Sequence, residues 1–303
     1  ADHGHDARID GNAHGFCEWA HNGVRMIQHG GDTLLFHSFL VLLPSFNTGF
    51  FVSYNSEGGG GPPRIQLMEA ILDRYFPSEA PPEIEPSADF TKRAGRFTGL
   101  YMMSRVNYSS FLKLMQLAAT VKVRSTREGT LLIGNSDPSQ YVEIEPLVFR
   151  ELEGQDPVVF KEDSGGRITH MYLGPVPYMA CIKMAWHQYP SWHILCLVVA
   201  GVFFLSTLIW PLGALRRKIC RYSAVPADAP GAARLLAGGM SALCLVFLIG
   251  MVAVFSRPDS VMFGVPLLLK ILLVLPFAAA ALALGVLFYA LVSWIKGYWY
   301  ACS

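Results

Sequence analysis

Gln28-His29-Gly30-Gly31-Asp32-Thr33 is the stretch of this 303-residue chain whose residue types could do chemistry. An imidazole can orient a substrate or move a proton near neutral pH. Two glycines lack the Cβ that would keep a ligand away from the backbone, so peptide N–H groups there can be approached closely. The knot lies between two apolar, strand-like runs, which makes it the end of a strand. Taken alone, His-Gly-Gly is equally a tight turn with an incidental histidine, and only the elements around it separate the two readings. Other reactive residues are scattered. Ser110-Phe111-Leu112-Lys113 fits Ser-x-x-Lys and Ser53-Tyr54-Asn55 fits Ser-x-Asn, while His170 sits in a strand-like run where a structural role is expected. His3 and His5 beside Asp2 and Asp6 could ligate a metal, but no second cluster completes the set, so a solvated end is expected and no metal site is assigned.

The elements that must position the knot are short and local. Gly15 to Trp19 alternates weakly, Asn22-Gly23 is a hairpin signal, and Val24 to Ile27 leads into the knot. Phe36 to Leu43 is almost wholly apolar, then Pro44 to Gly49 turns into Phe50 to Asn55. This predicts an antiparallel meander whose apolar strands need cover on both faces. Ile65, Met68, Ile71, Leu72 and Tyr75 follow helical spacing behind Pro62-Pro63 and ahead of Pro77, which predicts a covering helix.

Gly15-Phe16, the His29-Gly30-Gly31-Asp32 knot, Phe36-His37-Ser38, Pro44, Gly49 to Ser56 and a helix ending Leu72-Asp73-Arg74-Tyr75-Phe76 recur here in one order. Over about residues 10 to 76 this series resembles the C-terminal end of the serine β-lactamase and penicillin-binding-protein family, in its class C-like branch. The resemblance implies an α+β fragment of the β-lactamase-like fold over 1–76. In that family the third motif is Lys-Thr-Gly or a His-x-Gly variant on a strand edging the cleft. His29 would then stand where the lysine helps hold a substrate carboxylate, Gly31 would let the acyl group near the strand, and Gly30 would belong to the same wall. The N–H of Asp32 would match half of an oxyanion hole. The family's Ser-x-x-Lys nucleophile should precede this strand, and only 28 residues precede His29. Ser110 and Ser53 come after it, so the chain is expected to be a fragment lacking its nucleophile and inactive alone.

Residues 77–89 form a Pro- and Glu-rich linker. From 90 to 190, β-branched runs at 97–101, 120–124, 130–134, 141–145, 147–150, 158–160 and 168–172, punctuated by Gly and Asp-Pro, predict a small antiparallel barrel or sandwich. Phe97-Thr98-Gly99-Leu100-Tyr101 and the meander after it are similar to the lipocalin-like domain appended to β-lactamase-related hydrolases. Such a barrel could hold an apolar ligand or simply be packed. Ser109 to Ala119 reads as a short amphipathic helix that lies on a membrane or caps the barrel.

The last third changes character. Uncharged runs at 194–212, 235–255 and 271–294, the second entered through Ala233-Arg234 and the third kinked by Pro276, predict an all-α region of three transmembrane helices over 191–303. Composition agrees: 52% hydrophobic residues and mean hydropathy +0.35 exceed what an ordinary soluble chain carries, and 16% charged residues fall short of it. A net charge of +1 and no basic run interleaved with aromatics exclude nucleic acid as an expected partner. Six scattered cysteines without a C-x-x-C argue against a disulfide framework or a zinc site. Arg216, Arg217, Lys218, Arg221 and Arg234 make the first inter-helix loop basic, whereas Arg257 meets Asp259 in the second. The basic loop is expected in the cytoplasm, with residues 1–192 on the outer side of a bacterial cytoplasmic membrane. Lys270 near a helix end is expected to snorkel. The chain opens at Ala1 with no leader and stops at Ser303 after an aromatic cluster, and both are expected to be cut ends.

The expected protein is thus a membrane-anchored serine hydrolase acting on a cell-envelope peptide, ester or lactam, with no cofactor. The alternative is a non-enzymatic membrane protein whose outer domains bind cell-envelope peptides or lipids; transport is a third reading.

Overall fold

The computed structural model describes residues 4–33, 35–56, 61–79, 84–87, 89–207, 209–210, 219, 231–256 and 264–296. Two compact units divide the chain, Ala1–Pro190 and Ser191–Ser303. The loop carrying Arg216, Arg217, Lys218 and Arg221, the Arg257/Asp259 loop, His3 and part of the linker lie outside the described residues.

The first unit opens with a five-stranded antiparallel sheet in sequence order: β1 (Asn12–Ala13), β2 (Phe16–His21), β3 (Val24–Asp32), β4 (His37–Leu43) and β5 (Thr48–Tyr54). Asn22 and Gly23 both take positive φ, 53° and 73°, the conformation a two-residue turn requires to match strand twist. Helix α1 (Gly61–Tyr75) covers one sheet face. Met68 and Leu72 are fully buried against Trp19, Met26, Phe39 and Val41. Tyr75, expected on that inner face, is 67% exposed. Leu72 and, just past the helix, Phe76 pack on the core at this end, and Tyr75 between them points outward. The other sheet face leaves Leu42 at 38% and Phe51 at 65% exposure.

Residues Gly99 to Lys183 form a closed eight-stranded antiparallel barrel. Its strands are β6 (Gly99–Met103), β7 (Thr120–Ser125), β8 (Leu131–Ile133), β9 (Ser139–Glu145), β10 (Val148–Glu151), β11 (Pro157–Glu162), β12 (Ile168–Leu173) and β13 (Ala180–Lys183), each beside its sequence neighbour. This is the up-and-down architecture of lipocalin-like folds. Strand β13, for which the sequence carries no strand signal, closes the ring between β12 and β6. Four residues, Ala-Cys-Ile-Lys, are too short for alternation to show. A lead-in helix α2 (Phe90–Arg93) and the turn after it send Phe90 and Phe97 into the barrel, where Phe149 and Phe160 meet them at ring distances of 5.0 to 5.5 Å. Aromatic side chains fill this interior. The expected helix at Ser109–Ala119 is a 3-10 helix, Phe111–Leu117, with no buried residue. His5, expected in a solvated end, and the residues up to Ile9 lie along the barrel. Ile9 is buried with Val148, Val159 and Tyr172, and His5 stacks on Tyr172 at 4.8 Å. Their partners are over a hundred residues away, so no local pattern reveals them.

The described residues of the second unit form the helices α3 (Pro190–Ser206), α4 (Gly231–Phe255), α5 (Leu267–Leu272) and α6 (Leu275–Ile295). Among the described residues, two spans are long and apolar enough to cross a membrane, Gly231–Phe255 and Leu267–Ile295; the latter is interrupted just before Pro276. Helix α3 has 17 described residues and is shorter.

Candidate functional site

The knot is the last stretch of β3. Hydrogen bonding in an antiparallel ladder alternates, and Thr33 N–H donates to Phe36 O at 2.8 Å. By that parity His29 and Gly31 are bonded to Leu40 and Ser38 of β4. Gly30 and Asp32 therefore turn their N–H groups toward the β2 side. The β2 ladder ends at the Cys17–Gln28 pair, so both N–H groups lie past it. His29 is exposed, with its ring edge-on to Phe16 at 5.8 Å. A Cβ at Gly31 would stand 2.9 Å from Ser38 Oγ, so a larger residue there would require that hydroxyl to turn away. At Gly30 a Cβ would meet the Arg64 guanidinium at 3.4 Å.

Arg64, in the first turn of α1, is the site residue that motif and spacing did not single out. Its Nη1 and Nη2 donate to Oδ1 and Oδ2 of Asp32, both at 2.8 Å. Nη1 also lies 3.2 Å from Gly31 O and 3.1 Å from Ser38 O. Across the carboxylate, His37 Nδ1 sits 2.7 Å from Asp32 Oδ1; the carboxylate accepts, so Nδ1–H donates. The Arg64 hydrogen bonds, reinforced by His37, hold the Asp32 carboxyl below the usual carboxylate range. Thus Asp32 contributes its N–H to the rim while its side chain is spent on Arg64 and His37. A signal for Arg64 did exist. A cation in the first turn opposes the helix dipole, so a compensating anion is required nearby.

The rim opens on a cleft of about 720 Å³. Gln28, His29, Gly30 and Asp32 line its sheet side, and Arg105 and Tyr178 line its barrel side. The Arg105 guanidinium lies over the Tyr178 ring at 5.1 Å. Beside them, burial pushes the Cys17 thiol up, with the Arg105 charge pulling the other way.

Polar contacts dock sheet and barrel. Trp19 Nε1–H donates to Asp156 Oδ1 at 3.0 Å. Asn22 N–H donates to Gln155 Oε1 at 3.0 Å, and Gln155 Nε2 returns a bond to Asn22 Oδ1 at 2.8 Å. Burial pushes the Asp156 carboxyl up to about 6; the Trp19 indole opposes this, and the charges of Glu151 and Glu69 add to it.

The remaining candidates fall elsewhere. Ser110 caps the 3-10 helix, its side chain accepting from Leu112 N–H at 3.2 Å, far along the chain from the knot. Ser53, on β5, is the register partner of Ser38 on β4. His170 is bonded to Thr169 Oγ1 at 2.9 Å and stacked on Tyr172; burial pushes it down, helped by Lys161 and His5. Among the described residues no group of three or more His, Cys, Asp and Glu could hold a metal ion, and Cys17, Cys181, Cys196 and Cys244 are free thiols.

No family model and no curated protein matches the chain. Two crystal structures of SurE, one of them with D-Leu, align with TM-scores of 0.31 and 0.32 at 14% and 13% identity, each over 56% of this chain. The chain spans 36% and 38% of their lengths, and a likeness of that size carries no argument about fold or chemistry.

Proposed function

We propose that β3 is one wall of an acyl-transfer cleft in a membrane-anchored serine hydrolase related to β-lactamases and penicillin-binding proteins. The observation that carries this reading is the pair of N–H groups of Gly30 and Asp32, directed past the end of β2 at the rim of the cleft, with His29 beside them. Strand N–H groups so directed stabilise the oxyanion of a tetrahedral intermediate. In the proposed reaction a serine Oγ attacks the acyl carbonyl while its proton passes to a basic partner. The oxyanion accepts from the Asp32 N–H, and collapse expels an amine or alcohol that takes up the proton. Water then repeats the sequence on the acyl-enzyme. His29 holds a substrate carboxylate. Neither Ser53 nor Ser110 lines the cleft, so no nucleophile is assigned among these 303 residues, and this chain alone is expected to hydrolyse nothing.

The two apolar spans, with α3, anchor the protein in the membrane, and the basic loop between α3 and α4 faces the cytoplasm. Residues 1–192 then face the cell envelope, where peptide, ester or lactam substrates occur. The test is covalent labelling of the intact gene product in membranes by a fluorescent penicillin or fluorophosphonate. Labelling lost on mutation of a Ser-x-x-Lys serine supports the enzyme. A folded product that no probe labels favours a non-enzymatic receptor for envelope peptides or lipids, a reading that the capping role of Ser110 also suits. Acylation of the isolated chain at any serine would overturn the inactive-fragment reading.

A further inference from the structure

We propose that Arg64 is a positioning residue that clamps the end of β3, so that the N–H groups of Gly30 and Asp32 keep one direction at the cleft rim; its catalytic consequence rests on the acyl-transfer reading. The side chain of Arg64 is only 11% exposed, in a helical turn where the dipole disfavours a cation. A buried guanidinium is costly unless fully paired, and an apolar residue would pack α1 as well. Its fork instead converges on both Asp32 oxygens and on the carbonyls of Gly31 and Ser38, tying β3 to β4 at their last rungs before the turn. Two parallel bonds fix the rotation of the Asp32 carboxylate, and His37 restrains Oδ1 from the other side. Gly30 lies directly against the clamp, since a Cβ there would be in van der Waals contact with the guanidinium at 3.4 Å. With its fork spent on the protein, Arg64 acts on the rim rather than on a substrate. Lysine, a point charge without the fork, does not replace it.

Hydrogen exchange of the full gene product in detergent tests the clamp directly, whatever the chemistry. In R64K, peptides spanning 28–38 should exchange about tenfold faster, with the barrel strands β7 to β12 unchanged. D32N should act on the same peptides, and the double variant should exceed neither single by much, because the two residues work as one unit. If fluorophosphonate acylates the wild type, R64K should lower the limiting acylation rate about tenfold while half-saturation stays within about twofold. Unchanged exchange at 28–38 in R64K overturns the clamp, and so does loosening that spreads to the barrel, which marks a general folding role. A wild type that no probe acylates overturns the acyl-transfer reading instead, and the exchange data still decide whether Arg64 holds the strand.

Discussion

The sheet and the barrel of the first unit are both antiparallel, yet they treat their backbone groups in opposite ways. Barrel closure pairs every strand on both sides and turns Phe97, Phe149 and Phe160 into a buried interior cluster. The sheet stops its β2 ladder at Gln28 and leaves the N–H groups of Gly30 and Asp32 directed past it, and it covers only one face with α1. A closed ring spends its hydrogen-bonding capacity on stability. An open edge keeps donors that something else can use. The reactive residues accordingly gather at the sheet's end, while the barrel contributes Arg105 and Tyr178 from its loops and a rigid body to carry them.

That contrast can be broken at several points. Phe160→Ala should have the largest effect, costing about 3–5 kcal/mol, because it empties a fully buried position among rings. Chemical denaturation measures it, and a loss under about 1 kcal/mol would mean the barrel interior is not tightly packed.

The junction between the two halves comes next. Folding raises the Asp156 carboxyl to about 6. The stabilisation it brings is therefore fully present below the unfolded value near pH 4 and is lost as pH rises through about 6. Asp156→Asn keeps an acceptor for Trp19 and should stabilise the unit by roughly 2 kcal/mol at pH 7.5 but hardly at pH 4.5. Equal gains at both pH values would show that the carboxyl is not perturbed by docking. Trp19→Phe removes the indole donor and should cost about 1–3 kcal/mol, read by thermal unfolding. It sharpens the comparison if hydrogen exchange loosens at 151–157 and not inside the barrel. The smallest effect belongs to Phe51→Ser on the bare face of the sheet, where a change within about 0.5 kcal/mol is expected. A loss of 2 kcal/mol or more there would mean that this face is covered in solution.

Features governed by neighbours in sequence are legible in the residues themselves. Asn22-Gly23 specifies its hairpin because only residues tolerant of positive φ form that turn. Met68 and Leu72 announce the buried face of α1 through helical spacing, and the apolar runs of the last third announce helices long enough to span a bilayer. His29-Gly30-Gly31-Asp32 is likewise placed at a strand end by the apolar runs that flank it in sequence. The meeting of distant groups has no such local signature. Arg64 lies 32 residues from the carboxylate it holds, and Trp19 lies 137 from Asp156. Ile9 and His5 settle on barrel strands beyond residue 147, and β13 is a strand only because β12 and β6 leave a gap of its width. Periodicity reports which face a residue takes within its own element. Which charge or ring stands opposite is decided when the elements pack, and that packing turns a histidine-glycine knot into a strand end held by Arg64 at the rim of a cleft.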